Sequence, residues 1–204
     1  MKLLLASNGE FLIDQRYALL AVPKAQMHIG YVTTASKGAR STEYVERHKQ
    51  AMKENSYRFE EIDIEGKSTD ELEKFFRTKN IIHVEGGDTY YLLRAIKRAG
   101  FDALIKKYLA EGKIYVGTSA GSSITGPTIE LSSHIPKDAT PEGVTGLGLV
   151  PFMIKAHFTD EQRSGLRQQI KTLRHPAKIL RDGQAILVEN GNDRIVGQGE
   201  EVKL

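Results

Sequence analysis

The sequence predicts an α/β fold in which a mostly parallel, doubly wound sheet is covered by helices on both faces, giving three layers. Short apolar runs of strand length alternate along the chain with amphipathic segments of helix length, as in repeated strand–helix–strand units. Turns rich in Gly, Asp and Asn follow several of the apolar runs, where one element ends and the next begins. The chain of 204 residues can bury a substantial core and fits a single domain spanning residues 1–204.

In the first half of the chain, apolar periodicity and helix boundary signals define the elements. Ser41 and Ser68 are predicted N-caps, and Glu71 completes a capping box with Ser68 at the start of another helix. The predicted strands are 3–6, 27–33, 57–64, 80–84 and 113–116, and the other predicted helices are 11–20, 42–55, 89–98 and 101–111.

The second half is less regular. Residues 122–148 are rich in Gly, Ser, Thr and Pro, which predicts a long irregular segment with at most one short strand. A helix is predicted over 160–173, and tight turns at 181–184 and 190–193 separate the last strands. Those strands are predicted at 152–156, 178–180, 185–189 and 194–196.

Composition excludes several classes of function. The 29 Lys and Arg residues exceed the 26 Asp and Glu residues by a net charge of only +3, and the basic residues are scattered, so we expect no nucleic-acid partner. The chain has no Cys, which excludes disulfides, Cys-ligated zinc and a Cys nucleophile. The apolar run at the N-terminus is too short for a signal peptide, and no stretch approaches the ~20 apolar residues of a membrane span. We therefore expect a cytoplasmic protein without a membrane partner.

The segment 117–121, Gly-Thr-Ser-Ala-Gly, predicts a serine nucleophile at Ser119. It follows an apolar strand and precedes a helix-compatible stretch, which is the setting of a nucleophile elbow. A side chain at Gly117 or Gly121 would collide with the neighbouring strand or helix, so the pattern has a steric reason. A serine N-cap in a Gly-rich loop is the alternative interpretation.

The loop Glu85-Gly86-Gly87-Asp88 follows the preceding strand and would lie beside Ser119 in a parallel sheet. Its glycines allow a close backbone approach to a substrate, and the amides of Gly87 and Ala120 could form an oxyanion hole. The simpler interpretation is a strand-to-helix turn with Asp88 as the N-cap, and both can hold together.

A serine nucleophile needs a base, which is normally a histidine. His157 stands at the end of a predicted late strand, where a base would lie, and is favoured over His134, which lies in the long loop after Ser119. The other four are assigned structural places: His48 is expected to be solvated on a charged helix, His28 and His83 to be core or edge residues of strands, and His175 to lie near a helix C-terminus.

The carboxylate that would orient the base is left open by the residues alone. Asp182 lies in a tight turn from which it could reach His157. Asp160 and Glu161 are close to His157 in sequence but are expected to begin the next helix, and Asp138 is a further candidate.

Taken together, these motifs resemble the peptidase E (aspartyl dipeptidase) and cyanophycinase family of serine peptidases. The matching segments occur in the family's order over nearly the whole chain: 3–8 (LLLASN), 85–93 (EGGDTYYLL), 115–122 (YVGTSAGS), 127–129 (PTI) and 157–159 (HFT). The resemblance implies a fold related to class I glutamine amidotransferases, with Ser119 as nucleophile and His157 as base. The family's acid precedes a Gly in a late turn, and Asp182 stands at that place.

The sequence departs from peptidase E beside the proposed site. Glu85 and Asp88 stand where peptidase E has Gly and Asn, and His134 stands where it has an Asp after the elbow. Arg163 could bind an acidic substrate group, although an arginine on a helix surface is the more ordinary interpretation. Asp88, His134 and Arg163 are therefore the candidate substrate-binding residues.

The function expected from sequence is a serine peptidase that hydrolyses a small, dipeptide-like substrate through an acyl-enzyme on Ser119. An esterase or amidase with the same triad and an inactive binding homologue are the rival hypotheses. We expect no cofactor and no metal, and the assembly state, including a homodimer, is left open.

Overall fold

The computed structural model describes residues 1–10, 16–39, 41–133 and 135–204. Its strands, numbered in chain order, are β1 (Lys2–Ala6), β2 (His28–Val32), β3 (Arg58–Ile62), β4 (Ile81–Val84), β5 (Ile114–Thr118), β6 (Met153–Lys155), β7 (Ala177–Ile179), β8 (Gln184–Glu189) and β9 (Asn192–Gly197). Seven of them form one sheet in the order β3-β2-β4-β5-β1-β8-β9, and β6 and β7 form a separate parallel pair. The first five strands of that order are parallel, and β8 and β9 are antiparallel additions at one edge.

Helices connect most of these strands. They are α1 (Glu43–Glu54), α2 (Thr69–Phe76), α3 (Thr89–Arg98), α4 (Phe101–Ala110), α5 (Ala120–Ser123), α6 (Pro141–Val144) and α7 (Arg163–Ile170). Ser68 caps α2 in the predicted capping box with Glu71. Asp88 caps α3, because its side chain accepts a hydrogen bond from the Tyr91 amide.

Successive residues of the central strands alternate between two cores, one on each face of the sheet. Leu3 and Leu5 pack into a core that also receives apolar residues of α2, α3 and α4. Leu4 and Ala6 pack into the opposite core, with residues of α1 and of the 3-10 helix Arg16–Leu20. The predicted α/β fold, with a mostly parallel sheet and helices on both faces, is confirmed.

Several predicted boundaries are wrong. Within the predicted helix 11–20, residues 11–15 lie outside the described residues, and Arg16–Leu20 is a 3-10 helix. The predicted helix 160–173 begins as a 3-10 turn, Asp160–Gln162, and continues only to Ile170 as α7. The N-cap of α1 is Thr42, not Ser41.

The long segment after the Ser119 turn is anchored at both ends. Thr128 and Thr145 form an isolated antiparallel bridge, and the short helix α6 precedes it along the returning chain. The segment thus has the single short extended pairing that its sequence predicts, together with a helical turn that the sequence did not indicate.

The sheet order decides where the loops meet. β5 lies between β4 and β1, and all three run in the same direction, with Val84 opposite Gly117 and Ala6 opposite Thr118. Because the carboxyl ends of parallel neighbours meet at one edge, the residues that follow these strands, Ser7, Glu85 and Ser119, lie at the same edge of the sheet.

Candidate active site

The turn after β5 holds Ser119 in a strained backbone conformation, with φ 48° and ψ −105°. Non-glycine residues rarely adopt this region, and such strain is typical of functional turns. A Cβ on Gly117 would lie 2.6 Å from the carbonyl oxygen of Gly121, and a Cβ on Gly121 would lie 2.0 Å from that of Val84. Both obstacles are backbone atoms, so the sharp turn requires glycine at both positions, for the steric reason that the sequence indicated.

His157 lies two residues after the end of β6 and points at Ser119. Its Nε2 is 2.8 Å from the Ser119 Oγ, and its Nδ1 is 2.8 Å from Oδ1 of Asp182. A carboxylate can only accept, so Nδ1 carries the proton that is donated to Asp182, and Nε2 accepts from the Ser119 hydroxyl. The structure therefore brings the three side chains into one hydrogen-bonded line.

The structure distinguishes among the carboxylates that are candidates for orienting His157. Asp182 lies in the turn between β7 and β8, within reach of the His157 ring. Asp160 is ion-paired with two arginines instead. Among the described residues, Asp182 is the carboxylate that bonds the imidazole.

Ser7 is a contributor to the site that the sequence reasoning missed. It follows β1 and is fully buried. Its Oγ accepts a hydrogen bond from the His157 amide at 2.8 Å and donates to Oδ1 of Asp182 at 3.0 Å. The signal in the sequence was its place after an apolar strand, but only the pairing of β1 with β5 brings that strand end to Ser119.

The two amides predicted for an oxyanion hole belong to the loop after β4 and to the start of α5. A Cβ on Gly86 would lie 3.0 Å from the Ser119 Cβ, so the loop after β4 touches the elbow. Ala120 is the first residue of α5, and the amides at a helix start have no partner within the helix. In the described part of the chain, neither the Gly87 nor the Ala120 N–H donates to another group.

Glu85 is buried beneath this loop and accepts four hydrogen bonds. Its Oε1 accepts from the Gly86 amide at 2.7 Å and from the Thr118 hydroxyl at 2.6 Å. Its Oε2 accepts from His48 Nδ1 at 2.8 Å and from the Tyr31 hydroxyl. Burial alone would raise the pKa of Glu85, but the hydrogen bonds and positive partners outweigh it and lower the pKa to about 2. The carboxylate is therefore ionised and fully partnered.

The expectation that His48 is a solvated surface residue is wrong. Its side chain is only 8% exposed, because α1 presents it to Glu85 and not to solvent. The charged sequence of α1 predicted an exposed ring, because the carboxylate that binds the ring lies 37 residues away in the sequence. His83 is a buried core histidine, as predicted, and its Nδ1 is hydrogen-bonded to the Tyr17 hydroxyl at 2.7 Å.

An open cavity of about 520 Å³ surrounds Ser119 and His157. Gly87 and Asp88 line it. Lys155, the last residue of β6, also lines it. Burial lowers the pKa of Lys155, with no carboxylate contributing to the shift. The other ionisable residues of the lining are Glu10, Tyr44, Arg47, His48, Glu85, His157 and Asp182.

Of the predicted substrate-binding residues, Arg163 is not among those that line this cavity. His134 lies outside the described residues. Arg163 begins α7 away from the cavity, where it donates to Asp160 at 2.9 Å and to the Lys203 carbonyl at 3.0 Å. Its guanidinium is therefore engaged in a local ion pair.

In the described ranges, no group of His, Asp and Glu side chains has the arrangement to hold a metal ion. The helices of the same ranges include none that is long and apolar enough to cross a membrane.

Comparisons with known proteins identify the family of the chain. The model of peptidase family S51 matches residues 3–196. An uncharacterised peptidase of Listeria monocytogenes is 35% identical over 149 residues, which cover 71% of this chain and 72% of that protein. Peptidase E of Nostoc sp. PCC 7120 is 26% identical over 213 residues, covering 96% of this chain and 86% of that protein.

A solved structure extends the likeness to three dimensions. The crystal structure of a candidate peptidase E protein from Listeria monocytogenes EGD-e superposes with a TM-score of 0.83 at 27% identity. The superposition covers 97% of this chain and 98% of that one. The shared fold therefore extends over almost the whole of both chains.

Proposed function

Because this chain belongs to peptidase family S51 and is a serine-type peptidase, we propose that it hydrolyses short, dipeptide-like substrates through an acyl-enzyme on Ser119. The single observation that supports this most strongly is the hydrogen-bonded line from Ser119 through His157 to Asp182, with 2.8 Å at each step. Those distances lie in the range that proton transfer requires.

The proposed reaction begins with attack of the Ser119 Oγ on the scissile carbonyl carbon, while His157 Nε2 takes the hydroxyl proton. The resulting oxyanion would accept hydrogen bonds from the Gly87 and Ala120 amides. Collapse breaks the C–N bond, the amine leaves with the proton from His157, and the acyl group remains on Ser119. Water then attacks the ester, His157 takes its proton, and the carboxylic acid is released.

In this mechanism Asp182 stabilises the imidazolium and holds the ring. The carboxylate accepts from Nδ1, which keeps Nε2 free to accept the serine proton. Both side chains are about half exposed, so the proposed base exchanges protons with solvent water readily between turnovers.

The size of the cavity supports a short substrate. Its volume of about 520 Å³ falls in the range of small-molecule sites and would hold a dipeptide or tripeptide. Its lining includes segments 131–133 and 155–157 and the loop after β4. An extended protein segment would need a longer groove.

The test is cleavage of a panel of unblocked dipeptides and short acyl esters by the wild type and by Ser119→Ala, His157→Ala and Asp182→Ala. We expect Ser119→Ala and His157→Ala to lose activity by at least about a thousandfold. Ser164→Ala, which changes an exposed serine of α7, is the matched control and should keep full activity.

Labelling by a fluorophosphonate separates the rival hypotheses. An inactive binding homologue would not be labelled, whereas the proposed enzyme is labelled as the wild type and loses labelling in Ser119→Ala and His157→Ala. Turnover of the esters with no cleavage of any dipeptide would replace the peptidase proposal with an esterase. Full dipeptide cleavage by Ser119→Ala would overturn the mechanism.

A further inference from the structure

The peptide unit between Gly86 and Gly87 is held from outside the loop. The Tyr44 hydroxyl, carried by α1, donates to the Gly86 carbonyl oxygen at 2.8 Å. The Gly86 amide donates to Glu85 Oε1 at 2.7 Å. Gly86 is therefore bound at both of its backbone polar groups, although it belongs to a glycine pair that could otherwise adopt many conformations.

The bond from Tyr44 has a directional consequence. A trans peptide is planar, and its C=O and N–H groups point in opposite directions. Because the Gly86 carbonyl faces the Tyr44 hydroxyl, the Gly87 N–H must face away from Tyr44. The orientation of that N–H, which is one of the two proposed oxyanion donors, is thus set by a hydroxyl carried by α1.

The rest of the loop leaves little room for another orientation. Gly87 has φ 142°, and a Cβ on it would lie 2.2 Å from the Ala35 carbonyl oxygen. The amide of Asp88 donates to the same Ala35 oxygen at 3.0 Å. Ala35 therefore fixes the far end of the loop, while Tyr44 fixes the peptide in front of Gly87.

Glu85 ties the loop to the elbow. The same Oε1 that accepts from the Gly86 amide also accepts from the Thr118 hydroxyl at 2.6 Å. Gly86 precedes the donor Gly87, and Thr118 precedes Ser119. One oxygen atom thus sets the spacing between the two backbone segments that carry the nucleophile and the oxyanion donor.

We propose that Tyr44 is a positioning residue of the oxyanion hole, acting through the Gly86 carbonyl, with Glu85 holding the loop at a fixed spacing from Ser119. This inference rests on the proposed function of the same site. Tyr44 need not touch the substrate to act in this way. Its hydroxyl stays protonated over the whole working range of a neutral-pH enzyme, since burial and then the charge of Glu85 raise the pKa of Tyr44 to about 12.

The experiment compares Tyr44→Phe with Tyr31→Phe. Each substitution deletes one phenolic hydroxyl from the same network, but Tyr31 donates to Glu85 Oε2, whereas the Gly86 amide and the Thr118 hydroxyl donate to Oε1. We expect Tyr44→Phe to lower kcat for a cleaved dipeptide about tenfold to a hundredfold, with KM changed less than about twofold, because a misplaced donor stabilises the transition state less. Tyr31→Phe should retain kcat within about threefold, even though it loses the more deeply buried hydrogen bond.

A second measurement distinguishes positioning from a general loss of structure. A peptide aldehyde forms a tetrahedral adduct with an oxyanion, whereas the product amino acid does not. Tyr44→Phe should weaken aldehyde inhibition by the same factor by which it lowers kcat/KM, and product inhibition should be unchanged. Thermal unfolding should show a smaller loss for Tyr44→Phe than for Tyr31→Phe.

Three outcomes decide the inference. Unchanged kcat and aldehyde affinity in Tyr44→Phe, in a protein that Ser119→Ala inactivates, would overturn the positioning role and leave the proposed function standing. Equal kcat losses in Tyr44→Phe and Tyr31→Phe would also overturn it, because a damaged network would explain both. Full activity of Ser119→Ala would instead overturn the proposed function itself.

Discussion

Ser7 supports the proposed base and the proposed acid through one hydroxyl. It accepts from the His157 amide and donates to Asp182, and His157 itself has a strained backbone with φ 55°. Both side chains are about half exposed, so a buried anchor beneath them has a large share in their alignment.

We expect Ser7→Ala to lower kcat about tenfold with little change in KM, since the substrate still binds but the imidazole is less well aligned. The substitution leaves the His157 amide without its acceptor, which costs about 1–3 kcal/mol of unfolding free energy where water cannot replace it. Steady-state kinetics and urea unfolding measure the two effects. A stability loss with kcat fully retained would show that Ser7 supports the fold and not the triad.

Lys155 lines the cavity. Burial lowers the pKa of its ammonium, and no carboxylate contributes to that shift. A half-buried cation of this kind can bind the terminal carboxylate of a short peptide. We expect Lys155→Met to raise KM for an unblocked dipeptide about tenfold, and to leave KM for the corresponding dipeptide amide unchanged.

The dipeptide amide is the matched control for that prediction, because it differs from the dipeptide only in the charge of its C-terminus. Lys155→Arg should retain most of the affinity for the dipeptide. Equal KM changes for both substrates would mean that Lys155 acts through the shape of the cavity and not through its charge.

At the scale of elements, the elbow depends on close backbone contact between α5 and β4. A Cβ on Gly121 would lie 2.0 Å from the Val84 carbonyl oxygen, and backbone atoms of a central strand cannot move aside cheaply. We expect Gly121→Ala to lower the unfolding free energy by several kcal/mol, about 3 or more, and to abolish labelling of Ser119.

Gly165→Ala is the control, because a Cβ at Gly165 in α7 meets nothing within 4 Å. That substitution should raise the unfolding free energy by up to about 1 kcal/mol, since alanine loses less backbone entropy in a helix. Chemical denaturation measures both variants. A stable, labelled Gly121→Ala protein would show that the elbow can form without its second glycine.

The predicted elements failed where local signals are weakest. The capping box at Ser68 and the cap at Asp88 were identified from sequence, because the donor and acceptor are only three residues apart. The helix predicted over 160–173 ends early and starts as a 3-10 turn. Periodicity predicts the kind of an element better than its ends, which depend on packing.

At the scale of the whole molecule, buried titratable groups make the stability depend on pH. Burial lowers the pKa of His83 from 6.5 to about 4. The pKa of Glu85 is lowered from 4.5 to about 2, where burial opposes and its hydrogen bonds drive the shift. In both cases the unfolded chain binds a proton at a higher pH than the folded chain does.

We therefore expect the unfolding free energy to fall as the pH falls, first between about 6.5 and 4 as the unfolded chain protonates His83, then between about 4.5 and 2 through Glu85. At about 1.4 kcal/mol per pKa unit, each group contributes on the order of 3 kcal/mol. Urea unfolding from pH 7 to pH 2.5 measures the slope. Glu85→Gln should lose only the pH dependence of the unfolding free energy below about pH 4.5. An unchanged slope in that range would contradict the assignment to Glu85.

Much of the molecule follows from the sequence by local physics. Apolar runs and helix periodicity predict the strands, most helices and the α/β class. A buried face requires apolar residues at the spacing of the helix or strand, so the sequence shows the pattern directly. The elbow around Ser119 is readable because only glycine fits at its two flanks. His157 was placed at a strand end by position, and the structure brings it to Ser119.

Only the tertiary structure decided which distant groups meet. Strand order placed β1 beside β5 and so brought Ser7 to the end of the sheet where Ser119 lies. Packing of the turn after β7 brought Asp182, one of the candidate carboxylates, within hydrogen-bond distance of His157. Tertiary packing also buried His48 against Glu85, where the sequence predicted exposure to solvent. It paired Arg163 with Asp160, away from the cavity. The physical reason is that hydrogen bonds and ion pairs between distant segments depend on sheet order and packing, which local periodicity does not encode.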